Sequence, residues 1–65
     1  MKDPKVNQKV MIRNEKGEEQ PGVISEVIPP SEYNSGRIIV YVSSRRRQYY
    51  AEFWYDDIDR SLILL

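Results

Sequence analysis

Apolar and polar side chains alternate in short runs along most of this chain, and Gly and Pro separate the runs. Residues 9–14, KVMIRN, place Val10 and Ile12 on one side and Lys9, Met11 and Arg13 on the other. That two-residue period is the mark of a half-buried strand. The stretch 15–22, EKGEEQPG, holds Gly17, Pro21 and Gly22 and is expected to be a turn. Residues 23–28, VISEVI, are mostly β-branched and favour a strand. Ile24 and Val27 differ in parity, so a bulge or sharp bend near Ser25-Glu26 is needed for both to face inward. Pro29-Pro30 ends this strand, because neither residue can donate to a ladder. The longest loop follows, PPSEYNSG at 29–36. RIIVYVS, 37–43, turns Ile38, Val40 and Val42 inward and Arg37, Ile39 and Tyr41 outward. After the polar connection SRRR at 44–47, QYYAEFW at 48–54 alternates again. Tyr49, Ala51 and Phe53 share one face, and Tyr50, Glu52 and Trp54 the other. YDDID, 55–59, reads as one helical or 3₁₀ turn with Ile58 as its buried plug. RSLILL, 60–65, reads as a final strand.

Five short strands in an open flat sheet would expose their edges, so the sheet is expected to close on itself. The division is a polar N-terminal arm, 1–8, and one domain, 9–65, without repeats, heptads or low-complexity tracts. The KVMIRN opening, the Gly22-Val23-Ile24 start of the second strand, the short SRRR hairpin and the YDDID turn together carry a likeness. Over about residues 6–65 the chain resembles the SH3-like small-barrel superfold, with its KOW and Tudor-like relatives. The resemblance implies an all-β fold, a five-stranded SH3-like small barrel with a short 3₁₀ turn before the last strand. It implies no single function, because such folds host many.

Composition narrows the chemistry. The chain has 65 residues, a length at which about 60% of the unfolded surface is buried. Cys and His are both absent, which excludes a disulfide framework and thiolate or imidazole metal sites. The commonest nucleophiles and general bases go with them, so a non-catalytic protein without a cofactor is expected. An active site shared between subunits is the one enzymatic route left open. No apolar run approaches 18 residues, so no membrane span is expected. Met1-Lys2-Asp3-Pro4-Lys5 does not open a signal peptide, and a cytoplasmic location is expected.

Ten basic and ten acidic residues cancel overall, yet they are segregated locally. All ten acidic residues lie outside 33–51, whereas EFWYDDID at 52–59 contains Glu52, Asp56, Asp57 and Asp59 and no basic residue. Pairing of the two blocks, within the chain or between subunits, is one reading; a dipolar surface that orients a protein partner is another. The acidic turn lacks the D-x-D-x-D-G spacing of a calcium loop, and a solvated turn is expected there.

Three features are candidates for binding. In SRRRQYY, 44–50, Arg45, Arg46 and Arg47 sit beside Tyr49 and Tyr50. Guanidinium groups for phosphates and rings for stacking are what a nucleic-acid surface needs. Six of the seven aromatic residues lie in 41–55 and the seventh is Tyr33 in the long loop. Tyr41, Tyr50 and Trp54 share an outer face and, with the arginines, have the composition of a protein–protein contact. The terminal Leu62-Ile63-Leu64-Leu65 cannot turn every side chain inward, so it is a candidate for self-association. The expected function is therefore a binding or assembly module that docks a protein partner or a second copy. The alternative is a nucleic-acid-binding module that uses Arg45–Arg47 and the tyrosines.

Overall fold

The computed structural model describes residues 3–14 and 16–64, with the side chains of 63 and 64 outside that description. Its elements are β1 (Lys9–Arg13), β2 (Glu19–Ile28), β3 (Arg37–Ser43), β4 (Gln48–Trp54), a 3₁₀ turn (Tyr55–Asp57), α1 (Ile58–Ser61) and the three-residue segment β5 (Leu62–Leu64). The protein is all-β apart from that helical turn. β1 to β4 form a four-stranded antiparallel sheet in the order β4-β3-β2-β1, and β5 lies antiparallel along the outer side of β1.

The period-two pattern sets the faces. Val10, Ile24, Ile38, Val40 and Val42 are fully buried on one side of the sheet. Tyr49, Ala51 and Phe53 of β4 pack against this core from the same side. The parity break in β2 is resolved as expected. Ile24 pairs with Val40 and Glu26 with Ile39, so the ladder skips Ser25 and returns Val27 to the core side. Ile58 is 2% exposed and plugs the core from α1, and Leu62 joins it.

β2 begins at Glu19, not at Val23. The turn before it needs fewer residues than its composition indicates, because Asn14 closes it. The Asn14 side-chain oxygen accepts from the Lys16 and Glu18 amides at 2.9 and 3.0 Å. Pro21 is tolerated inside the strand for a positional reason. The Ile24 N–H points to β1, donating to the Gln8 carbonyl, so by alternation the Pro21 nitrogen faces β3. The β2–β3 ladder stops at Gly22 opposite Val42, one residue short of Pro21, so no ladder bond is lost there.

Residues 5–8 are tied to the sheet. Asn7, with a φ of 72°, donates its N–H to the Ile24 carbonyl at 2.8 Å. The 29–36 loop folds back through a Ser31–Asn34 bridge and ends at Gly36, whose φ is 78°. A Cβ at Gly36 would lie 2.7 Å from the Ile28 carbonyl oxygen and 2.6 Å from the Pro30 nitrogen. Only glycine fits so near rigid backbone at positive φ.

The closed cylinder expected from five strands is not formed. Among the described residues β4 pairs only with β3, and β5 only with β1. The 3₁₀ turn and α1 cross from β4 to β5, and Ile58 and Tyr55 fill the open side of the core. A helical turn therefore covers the gap that a β4–β5 ladder would have sealed. The final strand is correspondingly short: helix runs to Ser61, and Leu62–Leu64 replaces the expected 60–65.

Candidate interaction face

The outer face of the sheet carries the aromatic side chains that the core has no room for. β3 and β4 are in direct register, with Tyr41 opposite Tyr50 and Arg37 opposite Trp54. The Tyr41 and Tyr50 rings lie 5.3 Å apart between centroids and are tilted by 56°, within the favourable range for edge-to-face contact. On the other side of Tyr41 sits Val23 of β2, and beyond it Lys9 of β1. Lys9, Val23, Tyr41 and Tyr50 thus form one row across four strands.

Val23 and Tyr41 form a ridge between two shallow grooves. One, of about 390 Å³, runs past Lys9, Pro21 and Ser43. The other, of about 360 Å³, runs past Asn7, Ser25 and Tyr50. Tyr50 is 66% exposed and Trp54 57%, so both rings are offered to solvent from a rigid strand. They are not continuous. Glu52 lies between them, and its carboxylate is 3.3 Å from the Arg37 guanidinium. Trp54 instead borders a separate hollow of about 300 Å³ with Ile28, Asn34, Gly36 and Arg37. Tyr33, 92% exposed, stands in the loop, with its N–H bonded to the Ser31 hydroxyl oxygen at 3.3 Å.

The run SRRRQYY is divided by the pleat. Tyr50 joins Tyr41 on the outer face, while Tyr49 turns to the core side and donates its hydroxyl to Gln20 Oε1 at 3.0 Å. Arg47 goes with Tyr49, its guanidinium carbon 4.8 Å from the ring centroid. Ser44 closes the hairpin tip, its N–H and its hydroxyl both donating to the Arg47 carbonyl at 2.9 Å. Arg45 and Arg46 project from this tip and are exposed. The three arginines and two tyrosines therefore do not form one platform.

Sequence reasoning missed Val23, Pro21 and Lys9 as parts of the face. Their signal was present in the parity: Val23 alternates against the buried Ile24, and Lys9 against the buried Val10. Leu62, one of the terminal association candidates, is buried; the side chains of 63 and 64, and residue 65, lie outside the described residues. Among the described residues no three acidic side chains converge to hold a metal ion, and no helix is long and apolar enough to cross a membrane. No protein-family model, curated protein or solved structure matches this chain.

Proposed function

We propose that the chain is a non-catalytic binding module with an SH3-like strand order, and that its outer sheet face docks a protein partner. The observation that carries this reading is the solvent-exposed Val23–Tyr41–Tyr50 row, flanked by two shallow grooves. A ridge of rings on paired strands loses little side-chain entropy on binding and offers flat apolar area. The Arg37–Glu52 pair and Lys9 supply a polar rim. The chemistry that fits is a partner with apolar side chains at its centre and charges of both signs at its margin. The meander order, with a helical turn before the last paired segment, supports the small-barrel resemblance, here as a sheet left open between β4 and β5.

The test is affinity capture with the intact chain after nuclease treatment, repeated with variants. Loss of one reproducible partner in Tyr41→Ala and Tyr50→Ala, with retention in an Arg45→Ala/Arg46→Ala variant, supports the reading. Binding unchanged by the tyrosine substitutions overturns it. The second reading, nucleic-acid binding, rests on the exposed Arg45 and Arg46. It predicts a gel shift at low salt that weakens steeply as salt is added and disappears in the arginine variant.

A further inference from the structure

The two ends of the sheet are unequal. β5 has three residues, whereas β4 has seven, contains no proline and pairs only with β3 among the described residues. The direction of its free backbone groups follows from the ladder. At one end the Ser44 N–H donates to the Arg47 carbonyl, and at the other the Tyr55 N–H donates to the Gly36 carbonyl. Hydrogen-bonded pairs alternate along an antiparallel ladder. Tyr49, Ala51 and Phe53 therefore bond to β3, and Gln48, Tyr50, Glu52 and Trp54 direct N–H and C=O away from it. Such a row is a template for another strand.

The charges on either side of β4 say which strand fits. Arg45, Arg46 and Arg47 precede it; Asp56, Asp57 and Asp59 follow it. Gln48 and Trp54 are roughly 20 Å apart at the usual rise of a strand. The blocks are thus held at opposite ends of one rigid element and cannot meet within one chain. Among the described residues the ion pairs are Arg13–Glu19 and Arg37–Glu52, neither of which uses Arg45–Arg47 or Asp56, Asp57 and Asp59. A second copy laid antiparallel brings each arginine block beside the other copy's aspartates.

We propose that two copies of this chain form a two-fold dimer through antiparallel pairing of their β4 edges, with the axis at Ala51. In that register Gln48 pairs with Trp54 of the second copy, and Tyr50 with Glu52. All four outward-bonding residues of each strand are then used. An axis at Glu52 sets two carboxylates opposite each other, and an axis at Tyr50 leaves Trp54 unpaired. With the axis at Ala51, the end of β4 that follows Arg45 and Arg46 lies beside the end of the second copy's β4 that leads into Asp56 and Asp57. The two outer faces become one continuous surface, with Tyr41 and Tyr50 of both copies on the same side. The dimer goes beyond the partner-docking reading and stands or falls separately from it.

The test uses the full chain, 7.7 kDa as a monomer, in light scattering and sedimentation. The wild type is expected at twice that mass, with weaker association as salt is added. Glu52→Pro removes an N–H that the monomer does not use, so the fold is retained while the symmetric interface loses two backbone bonds. At roughly a factor of five per bond, the dissociation constant rises about 25-fold. Glu52→Ala, which keeps the N–H, stays dimeric. Arg45→Glu/Arg46→Glu and Asp56→Arg/Asp57→Arg are each expected to be monomeric alone and to form a mixed dimer with each other. A wild type that stays monomeric up to millimolar concentration overturns the proposal. So does a ring larger than a dimer, or a dimer indifferent to Glu52→Pro and to charge reversal. A monomer that still binds a partner through Tyr50 overturns the dimer and leaves the docking reading standing.

Discussion

Gly22 sits on the core side of β2, opposite Val10 in one ladder and Val42 in the other. Replacing it with alanine places a methyl carbon 2.6 Å from Val40 Cγ1, 3.1 Å from the Tyr41 carbonyl oxygen and 3.5 Å from Ile12 Cδ1. Carbon atoms rest about 3.5–4.0 Å apart, so Val40 has to retreat by roughly 1 Å. It has nowhere to go: it is fully buried, its β-branched side chain is stiff, and its ladder partners are Ile24 and Ala51. Overpacking of this kind costs about 1–3 kcal/mol. The opposing effect, reduced freedom of the unfolded chain, returns about 0.4–1 kcal/mol. The net expectation for Gly22→Ala is a loss of about 1–2 kcal/mol, or roughly 5–15 °C in Tm for a domain of this size. Urea and thermal unfolding followed by circular dichroism measure it. Val40→Ala removes the obstructing methyl, so the double variant is expected to be about 1 kcal/mol more stable than the sum of the single changes. A Gly22→Ala protein as stable as wild type, or an additive cycle, refutes the argument that β2 approaches β3 too closely for a side chain there.

Two further outcomes follow from the packing. Ile58→Ala, which empties the plug between the helical turn and the sheet, is expected to cost about 2–5 kcal/mol. For so small a core this is a large share of the total, and a urea titration that shows less than about 1 kcal/mol of loss contradicts the plug's role. Tyr49→Phe deletes only the 3.0 Å hydrogen bond to Gln20, whose side chain remains within reach of water. A loss of about 0.5–1 kcal/mol in the same titration is expected, with the ring's packing and its Arg47 contact unchanged.

Much of this arrangement was legible residue by residue. Val10, Ile38, Val40 and Val42 are buried where the alternation places them, and Ser25 is skipped where the parity of Ile24 and Val27 requires it. Ile58 is apolar within an acidic turn, and the structure seats it in the core. The candidate face was legible in part. Tyr41, Tyr50 and Trp54 point outward as their parity demands, but Pro21 was hidden inside a segment whose composition resembled a longer turn, and Val23, at the expected start of the strand, joins the face only through its pairing with Tyr41. The closeness of Arg47 to Tyr50 along the chain was misleading, because adjacent residues in a strand face opposite ways and Arg47 stacks on Tyr49.

The sequence alone determined which side chains face inward, where β2 ends before Pro29-Pro30 and where the bulge falls. These depend on bonds and contacts a few residues long, and the two-residue period records them directly. Only the tertiary structure decided that the sheet remains open at β4 and that a single helical turn covers the core beside it. Only the structure brings Lys9, Val23, Tyr41 and Tyr50 into one row, with Glu52, paired to Arg37, set between Tyr50 and Trp54. Closure and adjacency depend on the register and coiling of strands far apart in the chain. The alternation within one strand is the same whether the sheet it belongs to closes or not.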